Sequence, residues 1–83
     1  MIQKNLTLEK HVKIGTTSDL GDCIKDFRSS QGLTQSDISG LANTGNRFII
    51  ELENGKETVQ LNKVLDVLNV LGLELTVTRK NKF

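Results

Sequence analysis

The 83-residue sequence contains no Pro, Trp or Tyr, and it has only one Cys, one His and one Met. A single thiol, Cys23, can form no internal disulfide, and Cys23 with His11 leaves no ligand set for a structural zinc. No apolar run approaches the roughly 20 residues of a membrane span, and residues 1–10 lack a signal-peptide apolar region. These absences favour a reducing cytoplasm and predict a protein without metal, cofactor or membrane partner.

The same absences argue against an enzyme, because a catalytic Cys23 would need a nearby His to activate it. Hydrophobic residues make up 36% of the chain and charged residues 25%, which is typical of one small folded domain. The net charge of +1 hides an uneven distribution. Residues 18–72 carry five Lys and Arg against eight Asp and Glu, whereas both ends of the chain are basic.

Residues 2–14 alternate apolar and polar side chains, which predicts a short edge strand or an extended arm over residues 1–15. A helical period follows, with Ser18 as the expected N-cap and Gly32 as the left-handed stop. We therefore predict a first helix over about 18–31. Its inner positions are Leu20, Cys23, Ile24 and Phe27.

The segment Thr34–Asp37 has the spacing of a capping box and predicts a short second helix that turns Ile38 and Leu41 inward. Asn43 tolerates a positive φ, so we expect a tight turn there. A third helix is predicted over Asn46–Glu53, with Ile49 and Leu52 on its buried face.

A fourth helix is predicted over about 60–71, with Leu61, Val64, Leu65, Leu68 and Leu71 on its core face. Val67 and Val70 lie outside that face, and such an excess of apolar surface indicates a subunit contact. The alternation after Gly72 predicts a short C-terminal strand. The predicted dimer interface is therefore Val67, Val70, Leu73, Leu75 and Val77.

The run from Gly32-Leu33-Thr34-Gln35 to Leu52-Glu53-Asn54-Gly55-Lys56 resembles the helix-turn-helix signature of the phage-repressor-like XRE family. The pattern from Glu57 to Leu75 is similar to that of HipB-type antitoxins. The resemblance implies an all-α domain of four to five helices over residues 16–73, short terminal β-strands, and a basic tail within 74–83. It also implies a homodimer that binds operator DNA in the major groove, represses its own operon and binds a HipA-like kinase toxin.

Carried over residue by residue, the resemblance assigns base reading to Asn46, Arg47 and Glu51. It assigns phosphate contacts to Gln35, Thr44 and Lys56, and an exposed backbone at Gly45 would let a phosphate approach the helix N-terminus. Arg28 and Glu53 are expected to form a structural ion pair. Other interpretations stay open: Asn46 as a helix cap, Gln35 as an ordinary helix former, Arg47 as a solvated charge, and Glu51 as an acceptor from cytosine or a group that repels wrong registers.

These features predict a sequence-specific transcriptional repressor, most specifically a HipB-type antitoxin. The acidic middle of the chain favours an alternative, a protein-interaction module that neutralises a toxin and binds DNA little, because affinity for DNA comes largely from neutralised phosphates. A solitary phage-type repressor without a toxin is the third hypothesis.

Overall fold

The computed structural model describes residues 11–80. Within this range the chain forms four α-helices and no strand: α1 (Thr17–Ser30), α2 (Gln35–Leu41), α3 (Asn46–Glu53) and α4 (Leu61–Val70). Helix α3 packs against both α1 and α2, and α4 packs against α2. The apolar faces meet in one core, which consists of Ile24, Ile38, Ala42, Ile49, Leu52, Val64, Val67, Leu68 and Leu71.

The start of α1 differs by two residues from the predicted N-cap at Ser18. Thr16 caps the helix: its hydroxyl accepts a hydrogen bond from the Asp19 N–H at 3.0 Å, and the Asp19 carboxylate accepts from the Thr16 N–H at 3.2 Å. This reciprocal pair satisfies two backbone donors at the helix end, which Ser18 alone could not do. The predicted stop at Gly32 is confirmed by its φ of +71°.

Helix α1 lies unusually close to the end of α3 at Gly21. A side-chain carbon at this position would lie 2.6 Å from the carbonyl oxygens of both Leu52 and Glu53. The Thr17 hydroxyl also donates to the Gly55 carbonyl at 2.8 Å. The absence of a side chain at Gly21 thus allows α1 to fix the C-terminal end of α3.

Helix α2 begins with the predicted capping box, in which the Thr34 hydroxyl accepts from the Asp37 N–H at 3.0 Å. Ile38 is fully buried, but the inward placement of Leu41 was wrong, since its side chain is 63% exposed. Ala42 takes the buried position instead. It lies about 40° from the buried Ile38 around the helix axis, whereas Leu41 lies about 60° away on the other side.

The buried face of α4 is rotated around the helix axis relative to the predicted face. Val67 is 0% exposed and belongs to the core, whereas Leu61 is 60% exposed and Leu65 is 43% exposed. The assignment of Val67 to a dimer interface was therefore wrong, because a fully buried side chain presents no surface to a second subunit. None of the four helices combines the length and apolar character that a membrane crossing requires.

The predicted strand after Gly72 does not form in the described chain. Residues 73–80 have no regular secondary structure, and neither do residues 11–15. A strand is defined by hydrogen bonds to a neighbouring strand, and residues 11–80 provide none. Most of the predicted N-terminal arm, residues 1–10, and the end of the basic tail, residues 81–83, lie outside the described residues.

Candidate nucleic-acid interface

Helix α3 has one buried side and one exposed side. Ile49 and Leu52 are essentially fully buried and fix the helix against α1 and α2. Asn46 and Arg47 lie in its first turn and are exposed, with 89% of the Arg47 side chain accessible to solvent. A rigidly held helix with polar side chains free at its N-terminal end has the geometry needed to reach base edges in a major groove.

The turn between α2 and α3 is tight and leaves the start of α3 open. Asn43 has the expected positive φ, 55°, and the Thr44 N–H donates to the Ser39 carbonyl at 2.9 Å. Gly45 is the N-cap of α3 and makes no side-chain capping bond. Asn46 is therefore the first helical residue and not a cap, which removes one of its alternative interpretations. The Thr44 hydroxyl oxygen is buried without a hydrogen-bond partner.

A buried ion pair joins α1 to the C-terminal end of α3. Arg28 donates two hydrogen bonds to the Glu53 carboxylate, from Nε at 2.6 Å and from Nη2 at 2.9 Å. The side chains are 12% and 2% exposed, respectively. The pKa of Arg28 is raised, chiefly by its hydrogen bonds to Glu53. Arg28 Nη1 also donates to the Leu33 carbonyl at 2.9 Å, so the pair joins α1, the α1–α2 connection and α3.

Gln35 extends this network to the surface. Its Nε2 donates to Glu53 Oε1 at 3.0 Å, and the residue is half-buried at the start of α2. The carboxamide has a second N–H that this bond does not use. Gln35 is thus oriented by a buried carboxylate while one donor stays available for a ligand such as a phosphate.

Sequence reasoning missed a second cluster, in which Glu51 bridges two cations. Its Oε2 accepts from Arg47 Nε at 3.2 Å, and its Oε1 accepts from Lys56 Nζ at 3.1 Å. The pKa of Glu51 is lowered by the hydrogen bond from Lys56 first and that from Arg47 second. The i, i+4 spacing of Arg47 and Glu51 was the available signal, because opposite charges at that spacing meet on a helix.

The remaining residues predicted for a dimer interface lie at the C-terminal end of α4 and in the segment that follows it. Val70 and Leu73 are half-buried, Leu75 is 52% exposed and Val77 is 93% exposed. Residues 73–80 and 11–15 border one open groove whose floor includes Leu20, Phe27 and Leu68. The described residues contain no group of three or more His, Cys, Asp or Glu placed to hold a metal ion.

Two helices joined by a sharp turn, with the second exposed along one side, define a helix-turn-helix protein. An uncharacterized HTH-type transcriptional regulator, y4mF of Sinorhizobium fredii, is 42% identical over 65 residues, which are 78% of this chain and 86% of the relative. The chain therefore belongs to the helix-turn-helix transcriptional regulators. A comparison with protein-family models finds no match.

Solved structures support the same assignment. A chain of a HipB-O4 20mer complex matches with a TM-score of 0.77 and 25% identity, over 83% of this chain and 97% of that chain. A chain of the HipA-HipB-O2-O3 complex matches with a TM-score of 0.78, at the same identity and the same coverage. The similarity covers nearly the whole of those chains.

Proposed function

We propose that this protein is a sequence-specific DNA-binding repressor whose α3 enters the major groove. The observation that carries this proposal is that α3 is held against the core by its buried side while Asn46 and Arg47 are exposed in its first turn. Arg47 bonds a guanine through its guanidinium, and Asn46 bonds an adenine through its carboxamide. Gln35, Gly45 and Lys56 contact the flanking phosphates, which sets the position of α3 on the duplex. Thr44 is not among these contacts, because its hydroxyl is buried and its N–H is bonded to the Ser39 carbonyl.

The test is fluorescence anisotropy with duplexes from upstream of the gene and with scrambled duplexes, across a series of salt concentrations. The wild type is expected to prefer the upstream duplex and to show a steep salt dependence. Arg47→Ala should weaken binding to that duplex about 5-fold to 150-fold per subunit, the loss expected for one bidentate base contact. Lys25→Ala removes the same charge from the exposed side of α1 and serves as the control.

The outcomes separate the hypotheses. An Arg47→Ala variant that binds like the wild type would refute the role of Arg47 in base reading. Equal, weak binding of the wild type to both duplexes would refute the repressor and favour the protein-interaction module. A loss of the same size in Lys25→Ala would mean that bulk charge, and not a base contact, explains the effect.

The proposal includes a homodimer formed through the end of α4 and the C-terminal segment after it. Val70, Leu73, Leu75 and Val77 supply apolar surface there, and the last two are largely exposed in the single chain. A second copy of that segment would provide the hydrogen-bonded neighbour that a strand requires. Two copies of α3 could then occupy half-sites roughly 34 Å apart, one helical turn of DNA.

Analytical ultracentrifugation tests the dimer. The double substitution Leu75→Asp and Val77→Asp should give monomers without unfolding the domain, since both side chains are exposed in the single chain. Leu61→Asp is the matched control, because Leu61 is 60% exposed on the first turn of α4. Dimers that persist in the double variant would place the interface elsewhere.

The most specific form of the proposal is a HipB-type antitoxin that regulates its own operon and binds a HipA-like kinase toxin. The similarity to a chain of the HipA-HipB-O2-O3 complex supports it. A kinase-like reading frame is expected beside this gene, and its product should co-elute with both the wild type and Arg47→Ala in gel filtration. A neighbouring gene of another kind would favour a solitary phage-type repressor.

A further inference from the structure

Both carboxylate oxygens of Glu51 are bonded to cations in the free protein. One oxygen accepts from Arg47 Nε at 3.2 Å and the other from Lys56 Nζ at 3.1 Å. Lys56 is also attached to the same residue through the backbone, because its N–H donates to the Glu51 carbonyl at 3.0 Å. Three charged side chains of the candidate interface therefore form one cluster, whose net charge is +1 instead of the +2 of its two cations.

This geometry disagrees with direct base reading by Glu51. A cytosine amine would have to compete with two cations that already bind the same carboxylate. The Glu51 side chain is also only 31% exposed, compared with 89% for Arg47, so Arg47 extends further from the helix. The terminal nitrogens of Arg47 remain free for a ligand, because the contact with Glu51 uses only Nε.

We propose that Glu51 is a positioning residue that controls sequence discrimination: it holds Arg47 in place for base reading and limits the attraction of the interface for phosphates of any sequence. This inference rests on the proposed function. It assigns to Glu51 a role opposite to that of a contact residue, since its removal should strengthen binding to non-cognate DNA.

Two physical effects support the assignment. An exposed Arg side chain loses considerable rotamer freedom when it is fixed against a base, and the Glu51 contact fixes part of it beforehand. In addition, each cation released from Glu51 becomes available to neutralise a phosphate, which adds affinity that carries no sequence information. The first effect lowers the ratio between cognate and non-cognate binding when Glu51 is neutralised. The second lowers it through Arg47, because the base already engages that side chain in the cognate complex, so it becomes available to a phosphate only on non-cognate DNA.

The experiment compares Glu51→Gln with the wild type on two duplexes, the tightest one selected by the wild type from a random library and a scrambled version. One additional phosphate contact raises affinity about fivefold at 0.15 M salt and makes the logarithmic salt slope steeper by about 0.9. We therefore expect Glu51→Gln to bind the scrambled duplex about fivefold more tightly per subunit. The ratio of selected to scrambled affinity should fall by at least that factor.

Asp26→Asn is the matched control. Asp26 is exposed on α1, takes part in none of the ion pairs found among residues 11–80, and its substitution changes the net charge by the same amount. Its affinity ratio should equal that of the wild type. Circular dichroism of both variants checks that the helices are retained, so that a changed ratio reports on the interface.

Several results would overturn the inference. They are an unchanged ratio in Glu51→Gln, an equal change in Asp26→Asn, or a loss of affinity for the selected duplex that disappears when one particular base pair is altered, which would mean that Glu51 reads that base directly. If the wild type shows no preference among duplexes at all, the proposed function fails and this inference fails with it. That outcome is recognisable because it concerns the wild type alone.

Discussion

The buried ion pair between Arg28 and Glu53 allows the sharpest prediction about stability. The Glu53 side chain is 2% exposed and accepts two hydrogen bonds from Arg28 and one from Gln35. Arg28→Met keeps much of the aliphatic length of the side chain but removes the charge and all of its donors. The carboxylate would then remain buried with a neutral amide as its remaining partner.

Breaking a buried pair in this way costs about 3–5 kcal/mol. At about 0.05–0.15 kcal/mol per residue, an 83-residue domain has roughly 4–12 kcal/mol of stability in total, so one substitution removes a large share of it. With a urea m-value of about 1 kcal/mol per molar, the midpoint of unfolding should fall by about 3–5 M. Urea titration followed by circular dichroism measures this shift.

Two further variants keep the reasoning testable if Arg28→Met proves unfolded. Glu53→Gln removes the charge and replaces one accepting oxygen by an NH2 group, but it keeps the other oxygen as an acceptor, so it should cost less, about 1–3 kcal/mol. The double variant Arg28→Met with Glu53→Met removes both charges, so it should be more stable than Arg28→Met alone. A loss below about 1 kcal/mol in Arg28→Met, or a double variant no more stable than that single one, would refute the claim that the pair compensates a buried charge.

Three other predictions concern packing and pH. Gly21→Ala should destabilise the domain by about 1–3 kcal/mol, because the new methyl would lie 2.6 Å from two carbonyl oxygens of α3. Gly40→Ala, with no heavy atom within 4 Å of the added carbon, should be neutral or stabilising in the same urea titration; equal losses would contradict the close approach. Val67→Asp should unfold the domain, whereas the half-buried Val70→Asp should leave it folded, as judged by circular dichroism; a folded, monomeric Val67→Asp would contradict the core assignment. The lowered pKa of Glu51 means that the stability from its ion pairs is present above the ordinary value of 4.5 and is lost as pH falls through the lowered folded-state value. The difference in Tm between wild type and Glu51→Gln should therefore disappear on acidification, and a difference that is constant with pH would contradict the ion pairs.

The sequence by itself determined the number, the order and most of the limits of the helices among residues 11–80. The capping box at Thr34, the turn at Asn43 and the limits of α3 at Asn46 and Glu53 all agree with prediction. Such features depend on local backbone chemistry, because a cap, a positive φ or an apolar period involves only neighbouring residues. The resemblance to the XRE family also placed Arg28 opposite Glu53, although 25 positions separate them.

The tertiary structure decided which apolar side chains face inward. On α4 two overlapping sets have the same i, i+3, i+4, i+7 spacing: Leu61, Val64, Leu65 and Leu68 form one, and Val64, Val67, Leu68 and Leu71 form the other. Periodicity alone cannot distinguish them, and only the packing of α4 against α2 buries the second set. The contact between Lys56 and Glu51 was decided in the same way. A charge pattern gives the spacing along a helix, but it does not show that Lys56 comes back to the Glu51 side chain after the turn at Gly55. Local chemistry therefore set where each helix begins and ends, whereas the direction of each face depended on contacts between helices that no single segment encodes.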